Sequence, residues 1–195
     1  GILIQKNDLA TFTGKDITAK RNLSLTSTRE QYNYLISPLV GYGMKDVYKN
    51  SSGGAVTVPS VLYYSEATNK FYSSSGAYIP ARALAVKEPA VGTETSDATF
   101  RGKPFNGEFD YQIVNTNTSD LKRGFNLVGN PYPSNMDLIA FYVNNGGSTG
   151  GLSSTFYLWD SKANNQTAQA GDNYGGQSYA IFNVETPPTS GTGTK

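Results

Sequence analysis

Residues 124–142 read GFNLVGNPYPSNMDLIAFY and hold the most distinctive local pattern in the chain. An apolar run ends at Asn130-Pro131-Tyr132-Pro133, and residues that favour the start of a helix follow at once. Pro131 and Pro133 fix φ and remove two backbone donors. Asn130 suits an Asx turn onto its own following backbone, and we expect Gly129 to adopt a backbone angle that other residues resist. The stretch therefore predicts a rigid corner between a strand and a helix.

Helix signals follow this corner directly. Ser134 and Asp137 have the spacing of a capping box, with Ser134 as N-cap and Asp137 reaching back to its amide. Residues 144–146, Asn-Asn-Gly, are of the type that ends helices. Apolar residues lie between them at helical spacing: Met136, Ile139, Ala140 and Val143. We expect one helix of two turns.

Most of the remaining chain has the pattern of short strands. In residues 108–113, the apolar Phe109, Tyr111 and Ile113 alternate with polar residues, as in a half-buried strand. Runs rich in Thr, Val and Tyr, separated by Gly, Ser and Asn turns, predict further strands at 56–58, 61–64, 79–86, 125–128, 155–159 and 179–184. Short strands at spacings of about ten residues are typical of sandwiches and barrels. We predict an all-β fold: an antiparallel two-sheet β-sandwich, jelly-roll-like, with one short helix after the corner.

Composition narrows the functional classes. The 195-residue chain has no His and no Cys, which excludes Ser-His-Asp and Cys-His catalysis, imidazole metal sites and disulfides. Its formal charge is +1, from 16 basic and 15 acidic residues, and the basic residues are scattered along the sequence. No long-range field or basic stripe therefore favours nucleic acid. No apolar run approaches the ~18–20 residues of a membrane span.

The corner also carries a resemblance to a known family. GFNLVGNPYPSNMDLIAF is similar to the motif W-N-L-x-G-N-P-Y-P-S…D…F of large secreted and surface proteins from Bacteroidetes-type bacteria, typically exported by type IX secretion. Residues 32–38 resemble the early W-x-Y-x-S-P strand of these proteins, and residues 100–107 their F-x-G-x-x-N-G hairpin. Residues 156–160 and 179–183 resemble the Y-x-W-D and Y-A-x-Y-N strands. The resemblance implies a secreted or outer-surface location and a non-enzymatic structural or adhesive role.

The resemblance also suggests domain limits and a partner. We predict a β-sandwich domain at 30–184, preceded at 1–29 by N-terminal strands or a linker and followed at 185–195 by a Pro/Gly/Thr-rich tail. Domains of this kind usually continue with a Gly-rich strand similar to GQGFFV, which does not occur before Lys195. A missing strand leaves a sheet edge that favours strand pairing. We expect the partner to be the rest of the parent polypeptide or a neighbouring chain.

The candidate ligand-binding residues are aromatic and acidic. Tyr132, Trp159 and Tyr174 have ring faces that suit sugars, so a carbohydrate-binding module of a polysaccharide-degrading system is the alternative function. In the long polar segment 160–176, Asp160 and Asp172 offer oxygen ligands of the kind that Ca²⁺ prefers. This segment lacks EF-hand or RTX spacing, so a solvated loop is the main interpretation and a Ca²⁺ site the alternative.

Glu108 and Asp110 raise a second alternative, a carboxylate-dependent hydrolase. On a strand, their carboxylates would share a face, and glycosidases use two carboxylates about 5–10 Å apart. The same alternation places the pair on the polar face of the strand, where solvated acids belong. We interpret them as surface residues and predict no catalytic residue.

Overall fold

A computed structural model describes residues 3, 6–7, 9–23, 31–90, 97–116, 124–159 and 179–187 of the chain. Within these residues the regular structure is mostly β, with nine strands in three antiparallel sheets and a single short α-helix. The predicted all-β class with one helix is confirmed, and the jelly-roll strand order stays a prediction. The chain divides into two compact units, Gly1–Ser134 and Asn135–Lys195, whose boundary lies inside the predicted 30–184 domain.

The described part of the first unit contains two sheets. Its strands are β1 (Ile17–Asn22), β2 (Tyr32–Leu35), β3 (Leu39–Val40), β4 (Val61–Ser65), β5 (Lys70–Ser73), β6 (Leu84–Lys87) and β7 (Asp97–Pro104). One sheet has the order β1-β7-β3 and the other β2-β6-β4-β5. Short 3-10 turns lie at Met44–Asp46 and Glu66–Thr68.

One hydrophobic core joins these two sheets. The first sheet contributes Phe100 from β7, and the second contributes Leu84 and Val86 from β6. Alternate residues of β7 are buried, from Ala98 to Pro104, because successive side chains of a strand point to opposite faces. One face of each sheet therefore builds the core, which gives the sandwich-like arrangement that the sequence predicts.

The second unit holds the remaining regular elements, α1 (Leu138–Asn144), β8 (Thr155–Trp159) and β9 (Tyr179–Asn183). β8 and β9 form a two-stranded antiparallel sheet in which Trp159 lies opposite Tyr179. α1 contacts this sheet through Phe141, whose ring centroid is 6.1 Å from that of Phe156. Both strands confirm the sequence prediction.

The helix begins later than predicted. Asp137, and not Ser134, is the N-cap: its Oδ1 accepts hydrogen bonds from the amides of Ile139 and Ala140 at 2.9 and 3.1 Å. The predicted capping box is therefore wrong, because one carboxylate at Asp137 already satisfies two of the orphan amides of the first turn. The end is as predicted, since Asn145 is the C-cap and Gly146 follows with a φ of 80°.

Ile139, Ala140 and Val143 lie in the helix as their spacing predicts, but they do not form its buried side. Ile139 and Val143 are 43% and 65% exposed, whereas Tyr142 is buried. Met136 lies before the helix, because the cap at Asp137 moves its start towards the C-terminus. No helix among the described residues is long and apolar enough to cross a membrane.

Several predicted strands are shorter or absent in the structure. Residues 108–113 form no strand, and Phe109 and Ile113 on its expected inner face are exposed. Gly107, with a φ of 88°, lies in a bend between β7 and this segment, and residues 108–113 pair with none of the described strands. The predicted strand at 79–86 is reduced to β6. Residues 56–58 and 125–128 form no strand, although an isolated bridge joins Arg82 to Val128.

Candidate functional site

Two side chains of the corner, those of Asn130 and Tyr132, form hydrogen bonds with backbone groups. Asn130 Oδ1 accepts from the Tyr132 amide at 3.0 Å, and Asn130 Nδ2 donates to the Ser134 carbonyl at 2.6 Å. The first of these bonds is the predicted Asx turn. The Tyr132 hydroxyl donates to the Gly107 carbonyl at 2.6 Å, and its ring meets Phe105 edge-on with centroids 5.2 Å apart. The polar groups of Asn130 and Tyr132 are thus used inside the fold.

Gly129 serves the corner for a different reason from the predicted one. Its φ is not positive, so an unusual backbone angle does not explain it. A Cβ at this position would lie 2.7 Å from Ile36 Cγ2, and the Gly129 amide donates to the Ala81 carbonyl at 2.9 Å. Glycine therefore permits close packing of two chain segments. Pro131 is buried at the corner, and the Pro133 carbonyl accepts from the Leu3 amide at 3.2 Å.

The other predicted ligand-binding residues fall in the second unit. Trp159 is half-buried in β8, and its ring lies edge-on to Tyr179 with centroids 5.2 Å apart. Asp160, Asp172 and Tyr174 lie outside the described residues, so the Ca²⁺ site and the sugar platform stay predictions. Among the residues that are described, no three acidic side chains are close enough together to hold a metal ion.

The acids of the chain divide into exposed and buried ones. Glu108 and Asp110 are exposed and do not lie on a strand, so the shared strand face that would pair them is absent. The Glu66 carboxylate is buried and accepts hydrogen bonds from the Thr116 and Gly124 amides, both at 2.8 Å. It also accepts from the Thr116 hydroxyl at 2.9 Å. Glu66 therefore anchors two loop segments to the turn that follows β4.

A second buried acid, Glu88, lies at the core. Asn33 Nδ2 is 3.4 Å from Glu88 Oε1 and 3.2 Å from the Tyr48 hydroxyl. All three residues are at most 3% exposed. Their polar groups bond to one another because buried polar atoms without partners would destabilise the fold.

A cleft of about 490 Å³ opens on the outer face of the sheet formed by β1 and β7. Its lining includes Thr18, Lys20, Lys49, Ser51, Thr99 and Arg101, and we call it the basic cleft. Sequence reasoning missed this site, because its residues lie far apart in the chain.

Strand register assembles the basic cleft. Thr18 lies opposite Arg101, and Lys20 lies opposite Thr99. Directly opposed residues share a face and their Cβ atoms lie about 4.5–5.5 Å apart, so hydroxyl and cationic side chains alternate across the two strands. Tyr48 forms an isolated bridge with Ala98, on the edge of β7 that faces away from β1. Lys49, the next residue in the chain, lines the cleft from that side.

The basic side chains of the cleft differ in the groups that they contact. Lys20 Nζ lies 3.7 Å from Asp97 Oδ2, and Asp97 also accepts from Asn22 at 3.1 Å. Lys49 Nζ lies 5.8 Å from the centroid of the Tyr42 ring. The Arg101 side chain is exposed and makes no ion pair or hydrogen bond within the described ranges. Its lining has cations and hydroxyls but no carboxylate, so the cleft suits an anion.

Comparison with known proteins places the chain in a family. The family model described as Domain of unknown function (DUF8693) matches residues 1–195. The chain belongs to this family. No curated protein and no solved structure matches the sequence. The DUF8693 description assigns no activity, so function is inferred from the geometry of the corner, the buried acids and the basic cleft.

Proposed function

We propose that the chain is a non-enzymatic structural or adhesive module of a large secreted protein on a bacterial cell surface. One observation carries this proposal: Asn130 and Tyr132 direct their polar groups to the backbone of residues 107, 132 and 134. A motif whose polar groups bond inside the fold fixes the shape of the chain. The resemblance to exported Bacteroidetes-type proteins supports the surface location and export by type IX secretion.

The buried acids support the same role. Glu66 holds residues of two loops through their amides, and the buried Glu88 bonds to Asn33. Carboxyl oxygens that satisfy buried donors stabilise the fold, because buried polar groups without partners are costly. Their use here is structural, as expected for a module that provides a scaffold or a display surface.

The β8–β9 sheet supports pairing with another strand. A two-stranded sheet is marginally stable alone, and this one carries exposed apolar side chains, with Ile181 65% and Tyr157 48% exposed. A further strand would extend the sheet through backbone hydrogen bonds. The proposed source of that strand is the parent polypeptide or a neighbouring chain.

Labelling of intact cells tests the proposed function. An antibody against this domain should label unpermeabilised cells of the bacterium that makes the parent protein, and external protease should abolish the label. A cytoplasmic protein of the same cells is the negative control. Labelling only after permeabilisation would contradict the surface location.

An activity assay of the purified 195-residue chain tests the non-enzymatic part. We expect no turnover of polysaccharides above the rate of a heat-denatured sample. Turnover that is lost in Glu108→Gln or Asp110→Asn would instead establish a carboxylate-dependent hydrolase.

A further inference from the structure

We propose that the basic cleft binds the carboxylate or sulfate groups of an anionic polysaccharide. This goes beyond the structural role proposed above, and it favours the carbohydrate-binding alternative for this face of the molecule. The two roles are compatible, because the cleft and the corner use different residues of the first unit.

The basic side chains of the cleft favour an anionic ligand. Lys20, Lys49 and Arg101 converge on one cleft, and Asp97 pairs only with the first of these three among the contacts described above. The Arg101 guanidinium is exposed without an ion-pair partner in the described residues. A planar guanidinium forms paired hydrogen bonds with planar oxyanions such as carboxylate, and these bonds are stronger than neutral ones.

The hydroxyl groups of the cleft favour a saccharide as that ligand. Thr18, Thr99 and Ser51 line the cleft, and their hydroxyls make no hydrogen bond with the described part of the chain. A hydroxyl both donates and accepts, which matches the many hydroxyls of a sugar ring. Peptides that bind to sheets commonly pair with the backbone of an edge strand. This cleft instead lies on a face of side chains.

The size and rigidity of the cleft suit a ligand larger than a simple ion. A volume of about 490 Å³ lies within the range of roughly 300–1,000 Å³ that is usual for small-ligand sites, so an isolated inorganic anion would fill little of it. The turn at residues 50–54 forms one wall. Asn50 Oδ1 accepts from the Ser52 and Gly54 amides at 3.0 and 2.8 Å. A wall fixed in this way before binding reduces the entropy lost on binding.

Isothermal titration calorimetry with matched saccharide pairs tests the proposal. The 195-residue chain is titrated with oligogalacturonate and with its methyl ester, and with dextran sulfate and with dextran. We expect at least one charged member to bind and its neutral partner not to bind. Binding should weaken as salt is added, because ions screen exposed charges. Inorganic sulfate and polyglutamate are titrated to distinguish a saccharide from a free anion or an acidic peptide.

Single substitutions then locate the binding site. Arg101→Gln should raise the Kd by about tenfold to a hundredfold, as expected for the loss of a hydrogen bond to a charged group. Lys49→Gln should also weaken binding and provides a second variant. Lys45→Gln is the matched control, because it removes the same charge from an exposed residue outside the cleft lining. Circular dichroism and thermal midpoints verify that each variant is folded.

Each outcome of these experiments either supports or overturns the proposal. Charged-over-neutral preference, lost in Arg101→Gln and Lys49→Gln but kept in Lys45→Gln, supports the proposal. Absence of binding by both charged saccharides, equal binding of the neutral partners, or equal losses in all three variants overturns it. Sulfate or polyglutamate binding as tightly as the charged saccharide also overturns it. None of these binding results affects the cell-labelling experiment. The cleft proposal can therefore fail while the surface location holds, and the reverse is also possible.

Discussion

At the scale of single residues, polar side chains form hydrogen bonds with backbone groups in segments that are not paired in a β-sheet. Asn126 accepts from the Val114 amide at 3.0 Å and donates to the Val114 carbonyl at 2.8 Å, as a strand partner would. The Glu66 carboxylate accepts hydrogen bonds from the amides of Thr116 and Gly124. These bonds satisfy backbone groups that would otherwise lack partners, so irregular segments are held without strands.

Tyr78 is an exception and leads to a prediction. Its hydroxyl is buried and has no hydrogen-bond partner in the described residues, and burial raises the pKa of the Tyr78 phenol above 10.0. Tyr78→Phe removes this unsatisfied group, so the free energy of unfolding near neutral pH should stay the same or rise by up to about 1 kcal/mol. Urea unfolding measures the change.

The pH dependence of stability in Tyr78→Phe follows from the direction in which the Tyr78 pKa is shifted. Because the folded pKa lies above the unfolded value, the folded state holds the phenolic proton more tightly. This contribution to stability is complete below pH 10 and falls as the pH rises through the folded pKa. Wild type should therefore lose more stability above pH 10 than Tyr78→Phe. Tyr72→Phe, on an exposed ring, is the control, and parallel curves for wild type and Tyr78→Phe would contradict the assignment.

At the scale of elements, local sequence signals located the helix but not its first residue. Ser134 and Asp137 are both good N-cap residues, and only the fold selects Asp137. Strands were predicted best at β4, β8 and β9. Residues 108–113 have equally good alternation and form no strand, because alternation reports a side-chain pattern and says nothing about whether a partner strand is present.

The helix cap gives the prediction at this scale. Asp137→Ala should destabilise the first turn of α1 by about 1 kcal/mol, since the Ile139 and Ala140 amides lose their acceptor. Ser134→Ala should change stability by less than about 0.5 kcal/mol. Hydrogen exchange of the Ile139 and Ala140 amides measures both effects. Faster exchange in Ser134→Ala than in Asp137→Ala would restore the capping box.

At the scale of the whole molecule, register creates features that the linear sequence does not show. Basic residues are scattered in the chain, yet β1–β7 pairing places Lys20 and Arg101 on one face. The internal bonding of the corner was foreseeable, because an Asx turn needs only neighbouring residues. The contact of Gly129 with Ile36 was not, since it joins separate segments.

The two compact units give the prediction at this scale. Among the described residues, every buried member of the main hydrophobic cluster lies within Gly1–Ser134. We therefore expect a fragment of residues 1–134 to fold by itself, with a β-type circular dichroism spectrum and a cooperative urea transition. The full chain is the control. A fragment without a cooperative transition would show that the first unit depends on the second.

The central claim is that the Asn-Pro-Tyr-Pro corner stabilises the fold through hydrogen bonds of its own side chains. The most direct measurement is urea unfolding of Asn130→Ala beside Asn135→Ala, an exposed neighbour in the same segment. Because Asn130 makes two hydrogen bonds, its loss should lower the free energy of unfolding by about 1–3 kcal/mol. Asn135→Ala should change it by less than about 0.5 kcal/mol. Equal stability of the two variants would contradict the claim.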